Sequence, residues 1–254
     1  ADIICYMTGY KDPRLEKMFL PNDTGKFYGI RIGIDATSKS TAVAKYCNMI
    51  VKSDTPYMWF CAAEATFLRA EYELRWGSAE VAEQLYEEAV RLSFEERGAS
   101  GADGYLANTE AKPSPYSDPL SWHSVSGRQS DITIAWETPA EDASDADIAA
   151  IAERNLERLI TQKWIAIFPL GTEAWCEYRR TGYPRLLPAV EDKSGGTVDI
   201  KHGARRLPYP IEEYQRNNAN LQAAIQTLDS ETQGARRGDG MGTRVWWDCK
   251  PYNK

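Results

Sequence analysis

The residues best suited to ligand chemistry lie in one long irregular segment, residues 101–142, which is rich in Pro, Ser and Asp. Loops of this length within compact domains are usually functional or disordered. A flat aromatic side chain with polar, hydrogen-bonding neighbours suits the apolar face of a sugar ring. On the composition of this loop we select four candidate ligand-binding residues, which are Trp122, Tyr116, His123 and Arg128. For Trp122 and Tyr116, anchoring of the loop onto the protein body stays open as the alternative.

Motifs for catalysis are missing from the sequence. There is no GxSxG or HExxH motif, and no cysteine has neighbours that would activate a thiolate. The glycines of GDGMG (238–242) neither follow a predicted strand nor open a predicted helix, which argues against a phosphate-binding loop. Carboxylates are abundant, but no spacing singles out a glycosidase pair. We therefore predict a protein that is not an enzyme, with glycoside hydrolysis as the catalytic alternative.

Cysteine and histidine usage predicts neither a metal site nor a cofactor. The two histidines are His123 and His202, too few for a typical Cys/His zinc site. The five cysteines are far apart and form no CxxC pair; they are Cys5, Cys47, Cys61, Cys176 and Cys249. An odd number of widely spaced cysteines indicates free thiols, which by itself favours a reducing compartment.

Overall composition excludes two further classes of protein. The chain has 254 residues and a formal net charge of −7. Binding to nucleic acid requires a clustered basic face, so an acidic chain of this kind argues against it. No apolar run approaches the ~20 residues that a membrane-spanning helix needs.

The sequence predicts two consecutive helices that form a first helical hairpin over residues 56–98. The helix of residues 56–77 begins at a proline and ends at a glycine, and Ser78 can cap the helix that follows. Two helices of about 20 residues joined at a Gly-Ser corner must lie antiparallel, as in a tetratricopeptide repeat. The stripes expected to face the core are Cys61, Ala65, Leu68 and Tyr72 on the first helix and Val81, Leu85, Ala89 and Leu92 on the second.

A second helical hairpin is predicted over residues 144–181. Ser144 can cap the third helix, and Pro169 must end it. Gly171 lets the chain turn, so a fourth helix, residues 173–180, is expected to fold back on the third. The tryptophans on these four helices are expected to pack in the core; they are Trp59, Trp76, Trp164 and Trp175.

Five ordered blocks of sequence carry a family resemblance. They are PYMWFCAAEATFLRAEYELR, AEQLYEEAVRLSFEERG, ITQKWIAIFPLGTEAWCEYRRTGYPRL, RLPYPIEEYQRNNANLQAAI and TRVWWDCK. They look like successive segments of the SusD/RagB family, the nutrient-binding outer-membrane lipoproteins of Bacteroidetes. CYMTGYKDPRLEKMF and FYGIRIGI also resemble the interior of that family, so the resemblance covers nearly the whole chain.

The resemblance implies a fold and a function. The implied fold is mainly α, with tetratricopeptide-like helical hairpins in an α/α superhelix, long irregular loops and little β structure. The implied function is non-catalytic capture of oligosaccharides or other nutrients at the cell surface, for delivery to a SusC-like TonB-dependent transporter. Free thiols also fit an exported protein of anaerobic bacteria, and this replaces the reducing compartment inferred above.

Family members are about twice as long as this chain. We therefore expect residues 1–254 to form one domain, the C-terminal portion of such a protein. The signal peptide and the lipidated cysteine, through which alone the protein would touch the membrane, are expected to lie outside this chain. No fixed binding motif of the family transfers residue by residue, so the candidate ligand residues rest on the loop alone.

A tetratricopeptide-like adaptor for protein–protein interaction is the alternative function. It explains the helical hairpins equally well, but it assigns no role to the aromatic, Pro-rich loop. Substitution of Trp122 by alanine should leave partner binding by such an adaptor intact.

Overall fold

Helices account for most of the regular structure. The computed structural model describes residues 1–35, 38–200, 203–231 and 238–248, so His202 and Cys249 lie outside the described residues. The helices in these ranges are α1 Asp2–Gly9, α2 Leu15–Met18, α3 Lys39–Lys45, α4 Ala62–Trp76, α5 Ala79–Glu96, α6 Ala102–Leu106, α7 Asp145–Ala166, α8 Gly171–Thr181, α9 Ile211–Arg216 and α10 Asn218–Glu231. Strands β1 (Phe19–Leu20) and β2 (Asn48–Met49) pair antiparallel. The predicted mainly α fold with little β structure is confirmed.

Helices α4 and α5 pack against each other as an antiparallel hairpin. The corner between them is Gly77-Ser78, and the Ser78 side chain accepts a hydrogen bond from the backbone N–H of Val81, as predicted for a cap. The predicted start of the first helix at Pro56 is wrong. Cys61 is extended, with φ −132° and ψ 160°, so the helix begins only at Ala62.

The buried face of α4 lies nearly opposite the predicted stripe, because its residues come two positions after Cys61, Ala65 and Leu68. Ala63, Phe67 and Ala70 are fully buried, whereas Leu68 and Tyr72 are 43% and 58% exposed. Both sets of residues have helical spacing and both are apolar, so periodicity alone could not choose between them. The face that packs inward carries Phe67 between two alanines, and it contributes to the core together with residues of α5.

Two of the four tryptophans expected in the core are exposed. Trp59 and Trp76 are 85% and 74% exposed, so the predicted core positions are wrong for both. Trp59 precedes α4, and Trp76 is the last residue of α4, where the chain turns away from the core. Trp164 does pack inward and meets the ring of Tyr6 edge to face, with ring centroids 5.8 Å apart.

Helix α7 is the longest helix in the described part of the chain, and its cap was predicted correctly. The Ser144 side chain accepts a hydrogen bond from the backbone N–H of Asp147 at 3.2 Å. Helix α7 packs mainly on α4 and also on α5. Leu156 and Ile160 lie on its buried face, as expected.

Helix α8 follows α7 after a tight turn. The turn is closed by a hydrogen bond from the N–H of Leu170 to the carbonyl of Ile167. A buried ion pair, 3.1 Å between Lys163 and Glu177, connects the two helices. The closest backbone neighbours of α7 are α4 and α5. The pairing of α7 with α8 into a second hairpin over residues 144–181 therefore stays a prediction.

A fully buried arginine connects the N-terminal segment to three helices. Arg14 pairs with Asp12 at 2.6 Å, and both side chains are completely shielded from solvent. Its guanidinium also donates to Ser93 on α5 and to Gln162 on α7, at 2.8 and 2.9 Å, and to the hydroxyl of Tyr105 on α6 at 3.3 Å. We call this set the Arg14 network.

The chain falls into two compact units. The first comprises residues 1–30, 36–178 and 183–186, and the second comprises residues 31–35, 179–182 and 187–254. Polar contacts organise the second unit, where Arg205 pairs with Asp248, and Asp239 accepts hydrogen bonds from Arg206 and from the hydroxyl of Tyr214. The single domain expected over residues 1–254 stays a prediction.

Candidate functional site

Core side chains hold the long loop, residues 101–142, in place. The hydroxyl of Tyr10 donates to the carbonyl of Ile132 at 3.1 Å, and that of Tyr86 donates to the carbonyl of Ile134 at 2.7 Å. Ile132 and Ile134 are themselves buried. The loop is therefore fixed at its C-terminal part by hydrogen bonds from the interior and by apolar burial together.

Asp118 shapes a tight turn nearer the middle of the loop. Its buried carboxylate accepts hydrogen bonds from the backbone N–H groups of Leu120 and His123, both at 3.1 Å. The hydroxyl of Tyr46 donates to the same carboxylate at 2.9 Å. Burial, followed by this hydrogen bond, raises the pKa of Tyr46. Ser121 adopts a left-handed backbone conformation, with φ +66°, which turns the chain outward just before Trp122.

The turn separates the two candidate aromatic residues. Trp122 is 73% exposed, so one face of its indole is open to a ligand. Tyr116 is only 2% exposed, and a ring so deeply buried cannot present a face to a sugar. The ligand-binding role proposed for Tyr116 is therefore corrected to the anchoring alternative. His123 is half-buried, and its backbone N–H helps to form the turn.

Arg128, the fourth candidate, lines an open cavity of about 690 Å³. We call it the loop cavity. Most of its wall comes from the long loop, through residues 128–133 and 135–137 and through Thr109 and Lys112. Helix α7 contributes Arg154 and Glu157 to the opposite wall. The volume is within the range of pockets that hold small ligands.

Charged groups on α7 hold the cavity wall to the helix. Glu137 pairs with Arg154 at 2.6 Å and with the buried Arg158 at 2.7 Å. Arg158 also donates to the carbonyl of Thr133. Burial opposes ionisation of Glu137, but the hydrogen bonds from Arg154 and Arg158 outweigh it and lower the pKa of the carboxyl group. The Glu137 carboxylate is therefore ionised at neutral pH, where it holds the loop to α7 through Arg154 and Arg158.

The sequence did not single out the α7 side of this cavity. Arg154, Glu157 and Arg158 lie at helical spacing on a helix predicted correctly, but their partners are about 20 or more residues away in the loop. A useful signal would have been the position of charged residues beside the apolar stripe of α7, since buried charges are almost always paired. Trp136 lines the same cavity and rests on Tyr86, with ring centroids 5.2 Å apart.

The described ranges contain neither a metal-binding cluster of side chains nor a helix suited to cross a membrane. Within them, no group of three or more His, Cys, Asp or Glu side chains could hold a metal ion. The four cysteines that the structure describes are all free thiols. None of the helices in the described ranges combines the length and the apolarity that a bilayer-spanning segment needs.

These features define a mainly α protein with tetratricopeptide-like helix packing, whose long loop lines an open polar cavity and also carries an exposed tryptophan. A family model described as SusD-like, "Susd and RagB outer membrane lipoprotein", matches residues 1–248. The chain belongs to this family of outer-membrane lipoproteins. A search of curated proteins gave no match.

Solved structures of SusD homologues are similar to this chain. One from Bacteroides thetaiotaomicron is 48% identical with a TM-score of 0.85, and the match covers 99% of this chain and 52% of that one. One from Bacteroides uniformis is 43% identical with a TM-score of 0.82, covering 98% and 49%. A chitin-binding SusD homologue from Flavobacterium johnsoniae is 36% identical with a TM-score of 0.79, covering 99% and 49%. The chain thus spans about half the length of these relatives.

Proposed function

We propose that the protein of which this chain is part binds oligosaccharides or other nutrients at the cell surface and delivers them to a SusC-like TonB-dependent transporter in the outer membrane. Binding takes place without catalysis. The observation that carries this proposal is the exposed indole of Trp122, held outward by the Asp118 turn on the same loop that lines the loop cavity.

Family membership supports the proposal, because the chain belongs to a family of outer-membrane lipoproteins. The chitin-binding homologue makes polysaccharide fragments the first ligands to test. We assign stacking on a sugar ring to Trp122 and polar contacts to His123 and Arg128. An aromatic face combined with nearby polar groups gives the apolar and hydrogen-bonding contacts that a sugar ring needs.

Calorimetric titration of the full-length protein against chito-oligosaccharides and other soluble oligosaccharides tests this function. We expect saturable binding without any cleaved product. Trp122→Ala should weaken binding roughly tenfold or more, which corresponds to ~1.4 kcal/mol. Trp59→Ala is the matched control, because it removes another largely exposed indole, which lies outside the loop.

The results distinguish the alternatives. Equal losses in the two tryptophan variants, or none in either, would remove the loop from the binding site. Cleaved glycan would indicate an enzyme. If no oligosaccharide binds but a purified partner protein does, and Trp122→Ala leaves that binding intact, the tetratricopeptide-like adaptor is the better description. Co-purification of the full-length protein with a barrel transporter tests the delivery step separately.

A further inference from the structure

The charges around the loop cavity are unequal in number. Seven charged side chains line it: the cations Lys112, Arg128, Arg154 and Arg185, and the carboxylates Asp131, Glu137 and Glu157. An excess of cations is unusual here, because the whole chain carries a net charge of −7. The contacts of each charged side chain show which of them are paired within the protein.

Each of the three carboxylates already has a cationic partner. Glu157 pairs with Arg185 at 3.1 Å, and it also accepts a hydrogen bond from the hydroxyl of Ser130. Asp131 pairs with Lys112 at 3.3 Å. The third carboxylate, Glu137, is held by Arg154 and by the buried Arg158 behind it, as described above. No carboxylate of the lining is left to neutralise another cation.

Arg128 is the cation that remains. Its side chain is exposed at the cavity wall, and no described residue forms an ion pair or a hydrogen bond with its guanidinium. The five N–H donors of an arginine side chain are arranged as a planar fork that matches the two oxygens of a carboxylate. A neutral sugar would leave this fork without a charged partner, whereas an acidic sugar would fill it.

We propose that the loop cavity binds an acidic sugar unit and that Arg128 pairs with the anionic group of that sugar. The apolar face of the sugar lies toward Trp136, whose ring is held by Tyr86. This inference rests on the proposed function, since it names the class of oligosaccharide that the protein captures. A carboxylate on a uronic acid and a sulfate on a sulfated sugar offer the same fork-to-anion chemistry.

Titration of the full-length protein with an oligogalacturonide and with its methyl ester tests the charge directly, because esterification replaces each ionised carboxylate by a neutral ester on the same sugar chain. A sulfated oligosaccharide of similar length distinguishes the source of the anion. We expect the acid or the sulfated ligand to bind at least tenfold more tightly than the ester, and increasing salt should weaken that preference.

Variants at Arg128 locate the effect. Arg128→Gln should abolish the preference for the acidic ligand, and Arg128→Lys should keep part of it, because the charge remains but the fork is lost. Arg69→Gln, an exposed arginine on α4 outside the cavity, is the matched control and should change nothing. Unfolding midpoints of the three variants should equal that of the wild type, since neither arginine has a described partner.

Binding of the acid and of the sulfated ligand no tighter than that of the ester, or an unchanged preference in Arg128→Gln, would overturn the inference while leaving oligosaccharide capture in place. Failure of every sugar to bind, neutral or acidic, would overturn both. Binding of the sulfated ligand alone, if Arg128→Gln weakens it, would keep Arg128 as the anion contact and assign sulfated sugars as the ligand class.

Discussion

At the scale of single residues, two aromatic side chains of one loop have opposite environments. Tyr116 is buried and Trp122 projects into solvent, although only five residues separate them. The difference arises at Asp118, whose carboxylate gathers backbone N–H groups and forces the chain to turn. A ring that stabilises the fold and a ring that is free for a ligand can be told apart by measuring stability.

Alanine substitution at the two positions should have unequal effects on stability. Tyr116→Ala removes a buried ring and leaves a cavity, so we expect the free energy of unfolding to fall by about 3–5 kcal/mol. Trp122→Ala removes an exposed ring and should change it by less than ~0.5 kcal/mol. Urea denaturation of both variants checks the pair. Comparable losses would mean that Trp122 also anchors the loop.

At the scale of helices, the residue at which a helix begins is determined by side chains close to it in sequence. Ser144 caps α7 because its side-chain oxygen accepts a hydrogen bond from the backbone N–H of Asp147, three residues further along the chain. We expect Ser144→Ala to lower the free energy of unfolding by about 1 kcal/mol. Ser144→Thr retains a hydroxyl group and should restore most of the loss. Thermal or urea unfolding of the two variants gives the comparison, and an unchanged Ser144→Ala would show that the cap contributes nothing measurable.

The sequence predicted the features that depend on neighbours in the chain, and it missed those that depend on tertiary contacts. The caps at Ser78 and Ser144 and the mainly α fold depend on neighbours in the chain, and they were found correctly. The orientation of α4 depends on which stripe fits α5, and the exposure of Leu68 shows that this is a tertiary choice. The loop was identified by its composition. The partners of the loop on α7 were not identified, because Glu137 and Arg158 are 21 residues apart and no local sequence pattern relates them.

Attachment of the loop to α7 should depend on pH. Because the folded-state pKa of Glu137 is lowered, its stabilising contribution is complete above the unfolded value of about 4.3 and is lost as the pH falls through the lower folded-state value. The carboxylate is partly exposed, so we expect Glu137→Gln to cost only about 1 kcal/mol at pH 7. The difference from wild type should shrink at pH 3.

Urea midpoints of wild type and Glu137→Gln at pH 7 and pH 3 measure this change. Glu95→Gln, on the exposed face of α5, is the control for removing a glutamate without a described partner. A difference between wild type and Glu137→Gln that stays constant with pH would contradict the assigned role of the Glu137 carboxylate.

At the scale of the first compact unit, the Arg14 network joins distant parts of the chain. The guanidinium is fully buried, and besides its hydrogen bonds it lies over the ring of Phe94, 4.7 Å from the centroid. Its contacts reach α5 and α7, which are 79 and 148 residues away in sequence. One side chain thus couples the N-terminal segment to the helical hairpin and to α7.

Removal of this guanidinium should be among the costliest single changes in the protein. We expect Arg14→Met to lower the free energy of unfolding by about 3–5 kcal/mol, because the Asp12 carboxylate is left buried without its partner. The double variant Asp12→Asn with Arg14→Met should lose less, since no unpaired charge remains. Urea denaturation of both variants provides the measurement, and a double variant as unstable as the single one would contradict this reason.

The Arg14 network also imposes an order of events during protein synthesis. Ribosomes add about 5–20 residues per second, so Gln162 is made roughly 7–30 s after Arg14. Asp12, two residues away, is available to the guanidinium from the start, Ser93 on α5 follows 79 residues after Arg14, and Gln162 on α7 comes last. Complete burial of the guanidinium therefore requires α7, which carries the last of its hydrogen-bond partners to be synthesised.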